Sequence, residues 1–231
     1  MTDTRMSDAR LGGAAMIAAA IAGVITMMMH PTSRDMFVPG HISMVATLGW
    51  AIHIFAIICT PFAFLGALAL ARYMDAPNRL AICALAIYGF ALVAIVIAPT
   101  LSGLVAIPII QKLVLEPQSA AQWQPLAEYT GYLNQAFARI YTLLAAIAIA
   151  LWSVPMVRTR ILSRAAGIYG LVISPVIFIV VGSGHVKLDV HGFGAVVLLQ
   201  GIWFVATGAA LYRRGTVSNT VSNTVSNTVA T

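Results

Sequence analysis

The sequence predicts an all-α polytopic membrane bundle of six transmembrane helices, with both termini cytoplasmic. Three observations carry this. Hydrophobic residues make up 60% of the 231 residues and charged residues only 9%, against about 25% charged in soluble domains. Mean hydropathy is +0.92. Such a chain has too little polar surface to stay dispersed in water and too much apolar surface to be disordered. The apolar runs are continuous rather than alternating, which excludes a membrane β-barrel. The cations also sort by side, as the positive-inside rule requires.

A span needs about 20 mostly apolar residues. The first run is Leu11 to Met29, after a short N-terminus (residues 1–10) carrying Arg5 and Arg10. Cations before an apolar run also open a signal peptide, but this run is long and ends Met-Met-Met-His-Pro with no small-x-small site, so an uncleaved span is expected. The second run is Met44 to Ala71, the third extends from Arg79 to Ala98, and the fourth from about Thr130 to Val157. The fifth is Ala165 to Val181 and the sixth Val190 to Leu211. The apolar segment Thr100–Leu115, with Pro99 before it and Pro108 within it, reads as a short extra span or a kinked extension of the third helix.

Charge decides the span count. With six spans, Arg5, Arg10, Arg72, Arg79, Arg158, Arg160, Arg164, Arg213 and Arg214 fall on one side, and only Arg34, Lys112 and Lys187 on the other. A seventh span would move the Arg158–Arg164 cluster across and spoil that asymmetry. Residues 11–214 are therefore read as the transmembrane domain, with an extracytoplasmic loop over about 100–129, in the inner or plasma membrane. The Thr-Val-Ser-Asn repeat of residues 215–231 has no core to bury and is expected to be a disordered low-complexity tail. The two halves of the chain show no internal repeat.

Cys59 and Cys83 lie within spans at no metal-ligand spacing and read as small buried hydrophobes. The net charge of +6 belongs to a cytoplasmic rim facing anionic lipid. No basic patch interleaved with aromatics points to nucleic acid. The lipid bilayer is the expected partner, with a quinone or other membrane subunits as further ones.

On this topology all five histidines, His30, His41, His53, His185 and His191, lie on the extracytoplasmic half. Imidazoles ligate metals, and His185, Asp189 and His191 share the short stretch Gly-His-Val-Lys-Leu-Asp-Val-His-Gly. His30, His41, His53, His185, Asp189 and His191 are the candidate metal ligands. Met27, Met28, Met29, Met36 and Met44 accompany them, a thioether–imidazole mixture that suits copper. Helical spacing puts Asn134, Gln135 and Arg139 along the fourth span and Gln200 on the sixth, facing a common interior, as candidate cofactor contacts. Arg139 stands out because no span carries a carboxylate in its middle. It is expected to pair with Asp189, to meet an anionic ligand group such as a haem propionate, or to snorkel.

These residues predict an outward-facing His/Asp/Arg pocket for a metal ion or haem, with haem b or copper as cofactor and redox or metal handling as function. A small-solute carrier, an accessory subunit of a larger complex and an intramembrane metallohydrolase compete with that reading. Whether the protein is an enzyme is left open by the sequence.

Overall fold

The computed structural model describes residues 2–31, 40, 42–74 and 79–229, with side chains described from residue 8 to residue 215 within these ranges. Its helices are α1 (Thr2–Met29), α2 (Ile42–Met74), α3 (Arg79–Pro99), α4 (Ala106–Leu115), α5 (Ala120–Thr159), α6 (Arg164–Gly182) and α7 (Val190–Val229). A π-helical turn, Thr100–Val105, joins α3 to α4, and a 3-10 turn, Pro117–Ser119, joins α4 to α5. Six helical segments are long and apolar enough to cross a membrane, and the described residues contain no strand.

The segment expected as a loop over 100–129 is helical almost throughout. Pro108 lacks the N–H that would reach back to residue 104, and the ladder upstream shifts to a wider repeat. The Ala106 N–H accordingly donates to the Leu101 carbonyl, five residues back. The third span therefore continues from Arg79 to Leu115 as a kinked extension. The last helix is likewise drawn through the Thr-Val-Ser-Asn repeat to Val229, where composition led us to expect disorder. A helix already nucleated in the preceding span can propagate into such a segment without a new nucleus.

Helix ends follow local chemistry. The Ser163 hydroxyl accepts from the Ala166 N–H and starts α6. Asp189 starts α7, its carboxylate accepting from the N–H groups of His191 (3.1 Å) and Gly192 (2.9 Å). At the other end of α5, Arg160 adopts the left-handed conformation (φ 54°) that stops a helix.

The helices form a ring. α1 packs along both α2 and α7, α2 leads to α3, α3 lies against α5, and α5 against α6. Small residues let α1 sit deep: a Cβ on Gly12 would strike Ala69 of α2, and one on Gly13 would strike the Gly208 carbonyl of α7. Where α7 meets α5 and α6 the packing is sparser, and polar side chains bridge it. Gln200 Nε2 donates to the Thr142 carbonyl (3.3 Å), the Tyr169 hydroxyl to the Leu199 carbonyl (2.9 Å), and Trp203 Nε1 to the Ser153 hydroxyl (3.1 Å). Large apolar side chains such as Phe62, Phe90, Val172 and Ile179 face outward, as a lipid-facing surface requires.

Candidate functional site

The ring encloses a cavity of about 470 Å³, within the range of small-molecule sites. All the long helices except α6 line it. On α1 the lining runs from Met16 to His30, about 21 Å of helix at 1.5 Å per residue. Its walls are mostly apolar or small, alanine foremost, and most of its polar groups gather at the His30 end.

The opposite end is floored by aromatics. Trp152 and Trp203 are fully buried and stack at 6.0 Å, 14° apart. Tyr88 meets Trp152 edge-on at 5.5 Å, and Phe204 lies 5.2 Å from the Trp203 ring. Each indole N–H has an acceptor, the Ala81 carbonyl for Trp152 and the Ser153 hydroxyl for Trp203. Tyr88 and Phe204 line that end of the cavity, with the satisfied, stacked Trp152 and Trp203 packed behind them as a rigid cluster.

At the polar end His30 and His53 meet. Their Nε2 atoms are 3.1 Å apart, and the rings are T-shaped with centroids 4.8 Å apart. His30 Nδ1 contacts the Pro31 carbonyl (2.9 Å) and His53 Nδ1 the Gly49 carbonyl (2.5 Å). Burial pulls the His30 pKa below its ordinary value, partly offset by the Pro31 hydrogen bond. His53 is only 3% exposed. The π-helical turn makes room for it: a Cβ on Gly103 would fall on the His53 ring.

The expected residues distribute unevenly. Asn134, Gln135, Gln200, His30, His53 and Asp189 line the cavity. Gln135 is already engaged: its amide donates to the Leu188 carbonyl (2.8 Å) and accepts from the Leu188 N–H (3.2 Å), tying α5 to the loop before α7. Gln200 is 2% exposed, and its Oε1 has no partner. The Thr142 carbonyl fixes the amide's orientation, since a flipped Gln200 would set two oxygens face to face.

The larger ligand set is not brought together. His185 and His191 are exposed, and the His185 ring bonds the Ser183 hydroxyl (2.7 Å). Asp189 is committed to capping α7. Among the described residues no three His, Cys, Asp or Glu side chains converge. His41 and Met36 lie outside the described residues. Met28, Met29 and Met44 face outward at 81%, 51% and 68% exposure, whereas Met27 lines the cavity together with His30 and His53.

Arg139 is a correction. It is exposed and does not line the cavity. The buried face of α5 is set by Ala138, Thr142, Ala145 and Ile149, and at 100° per residue Arg139 falls roughly 90° from its centre.

Fold and site together define a bundle with six helices long and apolar enough to cross a membrane, around a mainly apolar chamber whose polar end is built on two histidines. Comparison with protein-family models, curated proteins and solved structures gave no match.

Proposed function

We propose that this is an integral membrane binding protein whose chamber holds one amphipathic organic molecule of the size of a short-chain quinone or quinol. The observation that carries it is the 470 Å³ apolar cavity with an unpartnered, buried Gln200 Oε1 in its wall. A buried acceptor without a donor costs about 1–3 kcal/mol, and a ligand hydroxyl relieves it. The arginine distribution supports a mouth on the periplasmic or exterior side. The cluster of Trp152, Trp203, Tyr88 and Phe204 favours binding over a through-path. A haem held between His30 and His53 fits poorly, since axial imidazoles on opposite faces need nitrogens about 4 Å apart at metal–nitrogen bonds of about 2.0 Å.

The test is tryptophan quenching by decyl-benzoquinone on detergent-purified protein. Saturable quenching at one quinone per chain, abolished by Ala20→Phe in the chamber wall, is the expected result. Linear, partition-like quenching that is the same in both proteins would overturn the proposal.

A further inference from the structure

The contact between His30 and His53 has a donor missing. Each Nδ1 faces a backbone carbonyl, which only accepts, so each Nδ1 carries a hydrogen. In a neutral imidazole Nε2 is then a bare lone pair. Two such lone pairs face each other at 3.1 Å, and they call for one electrophile between them.

The shape of the contact distinguishes a proton from a metal ion. The ring centroids are 4.8 Å apart, closer than two imidazoles meeting end to end across that gap would allow. The lone pairs therefore lie at an angle to the line joining the nitrogens. A bridging hydrogen bond prefers more than about 150° at the proton. Two bonds to one metal ion are bent by nature. With metal–nitrogen bonds of about 2.0–2.1 Å, the observed spacing corresponds to a nitrogen–metal–nitrogen angle of roughly 100°. That lies between square-planar and tetrahedral values.

The surroundings are those of a ligating pair. A metal-bound histidine almost always donates its other N–H to a carbonyl or carboxylate, which fixes tautomer and orientation, and both rings do so here. Gly103 in the π-helical turn shapes the space for the His53 ring, and such turns occur often at functional sites. Both rings line the cavity, so the pair faces open space on that side.

We propose that His30 and His53 form a two-histidine site for a zinc-class divalent cation, Zn²⁺, Cu²⁺ or Co²⁺, whose remaining positions open onto the chamber. Imidazole nitrogens suit these ions, and water or a ligand oxygen completes the shell. The site stands whether or not an organic molecule occupies the chamber.

The experiment uses the full chain, purified without a polyhistidine tag, stripped with chelator and titrated with Co²⁺ alone. The expected result is a saturable visible absorption at one Co²⁺ per chain, displaced by Zn²⁺. His30→Gln and His53→Gln each weaken binding at least tenfold, while His185→Ala/His191→Ala leaves it unchanged. His30, at a helix end, carries the test should the buried His53→Gln not fold. In the unmutated protein, Zn²⁺ also protects both rings from carbethoxylation. Absence of saturable Co²⁺ binding, or binding that survives His30→Gln, overturns the proposal, and so does binding lost with His185 and His191. Ala20→Phe keeps the Co²⁺ site while removing quinone binding, so the two proposals fail separately.

Discussion

Gly103→Ala tests how the polar end is built. The added Cβ would land on the Cγ, Cβ and Nδ1 atoms of His53, a side chain only 3% exposed. The ring must move toward the chamber and give up its Nδ1 bond to the Gly49 carbonyl. Overpacking of this kind costs about 1–3 kcal/mol, and the lost hydrogen bond about 1 kcal/mol more. At about 2–4 °C per kcal/mol for a chain of this size, the apparent Tm should fall by on the order of 10 °C. The assay is thermal unfolding in detergent, followed by intrinsic fluorescence. The control is Gly89→Ala on α3, where a Cβ meets nothing within 4 Å. That change should hold or slightly raise Tm, as alanine replaces glycine in a helix. Equal Tm values for the two variants would refute the packing argument around His53.

Other outcomes follow from the same contacts. Asp189→Ala should cost about 0.5–2 kcal/mol through loss of the α7 cap, readable as a lowered Tm, with Asp189→Asn largely restoring it. Gln135→Ala leaves the Leu188 N–H and carbonyl without their partner, so faster amide exchange at residues 188–190 is expected, and unchanged exchange would contradict the tie between α5 and that loop. Trp203→Phe removes the hydrogen bond to Ser153 and part of the stack on Trp152. Thermal unfolding should show a loss of about 1–3 kcal/mol. Arg139→Ala should leave both Tm and quinone quenching unchanged, since the side chain faces outward. A large loss of either would restore an interior role for Arg139.

The span count was legible because apolar length and arginine placement are properties of the chain itself. The six runs read from the sequence fall on the six long helices, but the third helical segment continues past Pro108 to Leu115, α5 begins at Ala120 rather than Thr130, and α7 runs on to Val229. The continuation of α3 through a π-helical turn depends on a shifted hydrogen-bond ladder, which apolar content does not encode. The polar site was half legible. Asn134, Gln135, Gln200, His30, His53 and Asp189 line the chamber. Periodicity did not reveal that Asp189 is spent on a helix cap, or that the Gln135 amide is spent on Leu188. Arg139 was assigned to the interior by spacing, but the buried face of α5 runs through Ala138, Thr142, Ala145 and Ile149 and leaves it exposed. The pairing of His30 with His53 was missed for another reason. It joins the end of α1 to the interior of α2, and only the position of Gly103, which clears space for the ring, hinted at it.

The central claim is a chamber that holds one amphipathic molecule. Its most direct test is the native mass spectrum of protein released from mild detergent. The account predicts a single added small-molecule mass per chain, retained on gentle activation and absent from Ala20→Phe. A bare chain, or the same heterogeneous lipid adducts on both proteins, would contradict it.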